Sequence, residues 1–181
     1  MIKSLQTPRG AIVIREGTLA DVVQYRELRL FALQDSPTAF SADYQINLNH
    51  PMSFWENRLR PDPHGTIFFA EHDSQLIAMT GVRQGESAKT KHAALIISVF
   101  VRPEWRGLHI AEELIESSCE WAKARGAEIV KLAVVTTNTS AVRCYERIGF
   151  KTYGVEPRAI LYQGVYYDEY SMLRSLAISQ P

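Results

Sequence analysis

One stretch of the sequence places a positive charge and a glycine at the start of a helical pattern. The segment VRPEWRGLHIAEEL covers 101–114 and combines the end of an apolar run, an Arg106-Gly107 turn and an amphipathic helix. The first N–H groups of a helix lack intrahelical partners, and the helix dipole makes that end positive, so the segment predicts an anion site. Arg106 adds a formal charge, and Gly107 lets a ligand approach the backbone closely. An ordinary tight turn between a strand and a helix explains the same residues equally well.

A second segment with side chains capable of chemistry is NTSAVRCYERIGF, at 138–150. Asn138 precedes a helical pattern and is typical of a helix N-cap. Tyr145 offers a hydroxyl whose ordinary pKa is about 10. Ala141 and Ile148 lie on the same predicted helical face as Tyr145, so core packing is the competing interpretation for its ring.

The cysteines and histidines point to no metal chemistry. Cys119 and Cys144 fall in predicted helices and form no C-x-x-C pair. We therefore expect two buried free thiols rather than a disulfide. The five histidines have no metal-ligand spacing, and no metal site is expected.

An alternation of strand-like and helix-like segments predicts the elements that must position these residues. The predicted strands are 11–17, a hairpin at 65–84 around 72–74, 92–101, 128–136, and a pair at 150–173 around Gln163-Gly164. The predicted helices are one after Thr18 and Asp21 with an inner face of Leu19, Val23, Leu30 and Leu33, one or two short ones in 36–61, then 108–125 and 139–148. This order predicts a mixed α/β or α+β fold in a single domain covering 1–181.

Composition excludes several classes of function. The chain has 181 residues, 46% of them hydrophobic and 22% charged, which is typical of one soluble domain. Lys plus Arg number 20 and Asp plus Glu number 20, so no net field would attract nucleic acid or an acidic membrane. The N-terminus lacks the apolar core of a signal peptide, and no stretch has the length of a membrane span. These features predict a cytoplasmic protein.

The two segments together resemble the signature segments of the GNAT N-acetyltransferase superfamily. They are V-x-P-E-W-R-G-x-H-I-A at 101–111 and N-T-S-A-V-R-C-Y-E-R-I-G-F at 138–150, and the order of elements from 11 to 173 is similar as well. The resemblance is greatest to bacterial members whose amine substrates are unassigned. It implies a mostly antiparallel central sheet of about seven strands flanked by helices, in which two splayed parallel strands form an acyl-CoA cleft.

The resemblance also implies acetyl-CoA as cosubstrate. The backbone of the turn would hold its pyrophosphate, and the residues concerned are Arg106, Gly107, Leu108, His109, Ile110 and Ala111. Val99 and Val101 would pair with the pantetheine arm like an added strand, and Asn138 and Tyr145 would also contact the cofactor. His109 stands where the family usually has glycine, and a positive φ at this position would cost a histidine about 1 kcal/mol.

The resemblance gives Tyr145 the role of a general acid that protonates the departing CoA thiolate. It supplies no general base, because Leu95 occupies the position where some members carry a glutamate. His92, Glu169 or a water held by backbone carbonyls remain as candidates. Of these, His92 alone has an ordinary pKa near neutrality, although the favoured interpretation of this residue is an exposed position at a strand end.

The implied activity is transfer of an acetyl group from acetyl-CoA to a primary amine, by direct attack in a ternary complex. The acceptor would be a small molecule or a peptide α-amine, bound by 36–61 and the hairpin at 157–168. The alternative is a non-catalytic acyl-CoA-binding or sensor module, which His109 and the missing glutamate favour. Neither nucleic acid nor a membrane is an expected partner, and the oligomeric state is open between a monomer and a homodimer.

Overall fold

Strands and helices alternate along the chain, and a computed structural model describes them for residues 2–176. The strands are β1 (Ile2–Thr7), β2 (Gly10–Glu16), β3 (Gly65–His72), β4 (Gln75–Gln84), β5 (Ala93–Val101), β6 (Ile129–Val135), β7 (Lys151–Tyr162) and β8 (Val165–Ser175). The helices are α1 (Val22–Asp35), α2 (Tyr44–Leu48), α3 (Met52–Leu59), α4 (Ile110–Ala124) and α5 (Thr139–Arg147). Within these described residues, no helix has both the length and the apolar character that a membrane span requires.

All eight strands form one sheet in the order β1-β2-β3-β4-β5-β6-β8-β7. Every neighbouring pair is antiparallel except β5 with β6, which is parallel. The sheet therefore has one strand more than the seven or so that were expected. The additional strand is β1, whose sequence IKSLQT alternates between exposed and half-buried residues at the edge of the sheet.

Helices cover both faces of the sheet and divide the core into two layers. The α4 layer contains apolar residues of α4 and α5 such as Leu114, Ile115 and Tyr145, packed against the central strands. The α1 layer lies on the other face, where Tyr25 of α1 and Trp55 of α3 are almost completely buried. Cys119 and Cys144 are both buried free thiols, as expected.

The predicted capping arrangement is present, but it caps the 3₁₀ turn Leu19–Asp21 before α1, and α1 turns a different face inward than expected. The Asp21 carboxylate accepts a hydrogen bond of 2.8 Å from the Thr18 N–H and one of 3.0 Å from the Thr18 hydroxyl, which confirms the capping arrangement. The expected inner face was wrong at two positions, because Leu19 is 45% exposed and Val23 is 56% exposed. Leu19 belongs to a separate 3₁₀ turn before α1, and Tyr25 takes the inward position.

The two parallel strands at the centre of the sheet separate along their length. Their pairing ends with Leu95 opposite Lys131, although both strands continue beyond that point. On its other edge β5 carries a bulge, since the register shifts at Thr80 of β4 and Ser98 takes a φ of 58°. A bulge bends its strand and increases the local twist. This bend accompanies the separation of β5 from β6 and leaves an opening between them.

Candidate functional site

The separation of β5 and β6 creates a cleft of about 740 Å³. Val99 and Val101 line it from β5, and Ala133 and Val135 line it from β6. Ala133 is exposed although it lies in the middle of a central strand. Because the parallel pairing stops before these residues, the facing edges of the two strands have backbone groups free to bind an extended ligand.

The turn between β5 and α4 has the geometry of an anion site. Gly107 and His109 both take left-handed conformations, with φ of 78° and 60°. A Cβ on Gly107 would meet nothing within 4 Å, so the turn is open on that side. The first N–H of α4 with a helical acceptor is that of Glu113, which donates to the His109 carbonyl at 3.2 Å. The N–H groups of Ile110 and Ala111 therefore remain available to an anion, with the positive end of the helix dipole behind them, whereas that of Glu112 hydrogen-bonds to its own carboxylate.

The guanidinium of Arg106, which was expected to face the anion site, binds protein groups instead. Its Nε donates to the Val101 carbonyl at 3.1 Å, and its Nη2 pairs with the Asp35 carboxylate at the end of α1. Burial tends to raise the pKa of Asp35, but hydrogen bonds from Ser36 and Arg106 outweigh it, and the pKa lies below its usual value. Asp35 is therefore ionised at neutral pH, and Arg106 attaches α1 to the turn.

A second acidic residue lies at the start of α4. Glu112 Oε1 contacts His109 Nδ1 at 3.1 Å and accepts a hydrogen bond of 2.7 Å from Arg147 Nη2 of α5. Burial tends to raise the pKa of Glu112, but Arg147 and then other hydrogen bonds, including that of His109, lower it overall. The carboxylate ties both residues to the first turn of α4. Arg143 of α5 also lines the cleft, and no acidic side chain within 2–176 engages it.

Asn138 and Tyr145 both line the cleft. Asn138 caps α5 as predicted, because its Oδ1 accepts from the Ala141 N–H at 3.2 Å. That bond leaves the two amide donors of Asn138 for a ligand. Tyr145 is 7% exposed, and burial raises the pKa of its hydroxyl well above the usual value. No residue of the described chain hydrogen-bonds to this hydroxyl. The hydroxyl is therefore protonated and can donate a hydrogen bond to a ligand.

The candidate general bases lie in different places. His92 is exposed and precedes β5, whereas the lining of the cleft starts on that strand at Ile96, four residues and about 13 Å further along. Glu169 of β8 lies directly opposite Val135 of β6, so the two side chains share a face of the sheet at the cleft. Burial raises the pKa of Glu169, and Glu156 on the neighbouring strand raises it further. His92 lies outside the lining of the cleft, because its end of β5 is still paired with β6, and Glu169 is not a lining residue either.

A family description of acetyltransferases, the GNAT family, matches residues 29–150 of this sequence. The match covers well over half of the 181 residues and includes both walls of the cleft and the turn. The chain belongs to the GNAT acetyltransferase family. Its members are acyltransferases, which accords with the enzyme class that the two sequence segments implied.

Individual relatives agree with this GNAT assignment. A GNAT-family acetyltransferase from Streptococcus pneumoniae superposes with a TM-score of 0.78 at 20% identity, covering 91% of this chain and 99% of the other. A Salmonella typhimurium structure described with its cofactor acetyl-CoA gives 0.75 at 16% identity, covering 94% and 96%. An uncharacterised N-acetyltransferase from Methanocaldococcus jannaschii is 41% identical over 61 residues, which are 34% of this chain and 27% of that protein. The structural likeness confirms the GNAT fold with its parallel pair in a mostly antiparallel sheet, and the last match spans about a quarter of that relative's length.

Most of the residues that the GNAT resemblance predicted to bind the cofactor lie together in the structure. Nine of the ten expected cofactor residues line the cleft, namely Val99, Val101, Arg106, Gly107, His109, Ile110, Ala111, Asn138 and Tyr145. Leu108 does not line it, because its side chain packs against the α4 layer of the core. Sequence reasoning assigned no role to Ser98 or Arg143. The bulge at Ser98 has no marker in the sequence, whereas Arg143 lies within the second signature segment and could have been noted there.

Proposed function

We propose that this GNAT protein transfers the acetyl group of acetyl-CoA to a primary amine, by direct attack in a ternary complex. The observation that carries the proposal is a cleft that passes between two strands and reaches both faces of the sheet. On the α4 face it ends at the anion-binding turn. On the α1 face it is walled by Ser36, Ala39 and Phe40, which lie in and beside the 3₁₀ turn Pro37–Ala39. Two reactants can therefore enter from opposite sides and meet between the strands.

The residues present fit acetyl-CoA as the ligand of the α4 face. The free N–H groups at the start of α4 suit a pyrophosphate, and the unpaired edge of β5 at Val99 and Val101 suits the amide-containing pantetheine arm. Asn138 has amide donors free on the β6 side. Acetyl-CoA supplies an acetyl thioester, whose sulfur departs as a thiolate with an ordinary pKa of about 8.5.

Tyr145 is the proposed proton donor to that sulfur. Burial keeps its hydroxyl protonated at neutral pH, so the group offers a proton in every turnover. The raised pKa also makes it a weaker acid, and its hydrogen bond gains strength only as negative charge develops on the sulfur. Such an interaction favours the transition state over the ground state and therefore acts on the rate.

Glu169 is the proposed proton acceptor for the attacking amine. An amine must lose a proton before it can form an amide bond, and a carboxylate with a raised pKa is a better base than an ordinary one. Glu169 lies on the α1 face next to the lining residue Val135, on the side assigned to the acceptor, but it does not itself line the cleft. The proton would therefore pass from an amine in the cleft to this carboxylate through ordered water.

A non-catalytic acyl-CoA-binding module is the alternative function. It is favoured by the acceptor side of the cleft, where the lining residues Ser36, Ala39 and Phe40 include no carboxylate or imidazole. It differs from the proposed enzyme in one measurable respect, which is release of free CoA.

The test is to incubate the protein with acetyl-CoA and a panel of primary amines, and to follow thiol release with a thiol-reactive chromophore. The protein's own thiols give little background, because Cys119 is 2% exposed and Cys144 is 8% exposed. A parallel thermal scan reports binding, since a hundredfold excess of ligand over Kd stabilises by about 2.7 kcal/mol, or roughly 5–10 °C in a chain of this size. A melting shift without thiol release from any amine would favour the module. The absence of both a melting shift and thiol release would contradict both functions.

A further inference from the structure

Arg29 of α1 is a buried cation with no acidic partner in the described part of the chain. The residue is 6% exposed, and its Nη1 has no hydrogen-bond acceptor. Burial lowers the pKa of its guanidinium to about 10, and the positive charge of Arg58 acts in the same direction, while Tyr25 opposes both. Because a buried charge is costly unless it is paired, this guanidinium lacks the anion that such a group normally has.

Phe40 connects this cation with the cleft. The Arg29 Cζ lies 4.5 Å from the centroid of the Phe40 ring, and Phe40 itself lines the cleft on the α1 face. Stacking on an aromatic ring satisfies the face of a guanidinium, but it leaves the N–H donors at the edge unused. The N–H donors of Arg29 therefore lie behind the Phe40 ring, which forms part of the cleft wall on the acceptor side.

The surroundings of Arg29 show no structural use for its charge. The same core layer contains the apolar residues Leu28, Leu30 and Ala32 of α1. It also contains Trp55, whose Nε1 has no hydrogen-bond acceptor either. Two buried donors of this layer thus lack an acceptor within 2–176, which is the arrangement expected where a ligand supplies the missing acceptor.

We propose that Arg29 binds a carboxylate of the acceptor, and that the acceptors are amino acids rather than uncharged amines. The inference rests on the proposed acetyl transfer and specifies its substrate class. A guanidinium presents two parallel N–H groups that match a carboxylate, and its contact with Phe40 at 4.5 Å holds it beside the cleft wall. The acceptor's amine then extends from this anchor toward the gap between β5 and β6.

The experiment compares each amino acid with its amide, which has nearly the same shape and no negative charge. The probes are glycine, β-alanine, 4-aminobutyrate and L-phenylalanine with their four amides, so that the spacing between amine and carboxylate also varies. The proteins are the wild type, Arg29→Met, Arg29→Lys and the control Arg26→Met. Arg26 lies on the same helix but donates to the Leu48 carbonyl at 3.2 Å, away from Phe40. KM is measured by thiol release, and calorimetry with free CoA measures binding of the N-acetylated acids and amides.

We expect at least one acid to have a KM tenfold or more below that of its amide in the wild type and in Arg26→Met. Arg29→Met should abolish this preference without lowering Tm, because methionine fills the site and removes an unpaired charge. Arg29→Lys should keep part of this preference, because lysine retains the positive charge but lacks the two parallel N–H groups of a guanidinium. The proposal is overturned if acids and amides are equivalent in the wild type, if the preference survives in Arg29→Met, or if both Arg29 variants unfold while Arg26→Met does not.

The calorimetric arm separates this proposal from the proposed function. Tighter binding of the N-acetylated acids that depends on Arg29, without thiol release from any amine, would support the carboxylate site and contradict the acetyl transfer. Thiol release at the same KM for acids and amides would support the acetyl transfer and contradict the carboxylate site.

Discussion

Replacing Tyr145 with phenylalanine removes one oxygen atom from a residue that is 7% exposed. The ring keeps its packing in the α4 layer, including its contact with Phe150 at a centroid distance of 6.2 Å. Since no described residue hydrogen-bonds to the hydroxyl, the folded protein loses no hydrogen bond. We expect the free energy of unfolding to change by less than about 0.5 kcal/mol, which corresponds to about 2 °C or less in Tm.

The same substitution has a large expected effect on turnover. Loss of a general acid typically lowers the rate by about 10² to 10⁴, and each factor of ten is 1.36 kcal/mol of activation free energy. The predicted cost is therefore about 2.7 to 5.4 kcal/mol in the transition state, at least five times the largest expected change in stability. It should fall on kcat and leave the Kd of acetyl-CoA nearly unchanged, because the hydroxyl acts as charge develops on sulfur.

The assay pairs a thermal scan with steady-state thiol release for the same variant. Tyr25→Phe calibrates the thermal scan, because the Tyr25 hydroxyl accepts a 2.8 Å hydrogen bond from Arg58 Nε and the residue is 1% exposed. Loss of that bond should cost about 1 kcal/mol and lower Tm by about 2–4 °C. An unchanged kcat in Tyr145→Phe would refute the proton-donor role and leave the tyrosine as part of the core.

Three further predictions concern the turn and the proposed base. His109→Gly should bind acetyl-CoA by calorimetry no more weakly than the wild type, since it keeps the backbone donors and removes the strain of a φ of 60°; weaker binding would instead show an imidazole contact. Gly107→Ala should weaken the same binding, because its Cβ would stand on the open side of the turn where a ligand approaches the backbone, and it should lower Tm, because alanine at a φ of 78° costs about 1–2 kcal/mol; an unchanged Kd would contradict the turn's role. Glu169→Gln should lower kcat. It should also raise Tm near pH 8 but not near pH 4, because the folded-state pKa lies above the unfolded value of 4.5 and ionisation therefore costs stability as pH rises; equal Tm differences at both pH values would contradict this.

The parts of the fold that the sequence predicts are those whose signal is local. The anion site needed only an apolar strand, a glycine and a helix start in succession, and the Asn138 cap needed only one residue before a helical pattern. Both were readable because helix termini impose their requirements on the nearest few residues. The positive φ of His109 was indicated only by the resemblance, which places this residue where the family usually has glycine.

Features that depend on distant partners were not readable in this way. The strand β1 has no apolar stripe of its own and exists because its backbone pairs with β2. The distance of His92 from the cleft follows from where the pairing of β5 and β6 ends. Arg29 resembles any helical arginine in the sequence, and its burial without a partner follows from the packing of α1 against the rest of its layer.

Arg106 shows how the two sides of the cleft are joined. Its pairing with Asp35 and with the Val101 carbonyl connects the end of α1 to the turn before α4. The charge of Arg106 is thus largely compensated within the protein, so the backbone N–H groups and Arg143 are left to meet the charge of a phosphate. The same helix α1 carries Arg29 six residues before Asp35. One ion pair thus connects the proposed pyrophosphate site with the helix that holds the proposed carboxylate anchor.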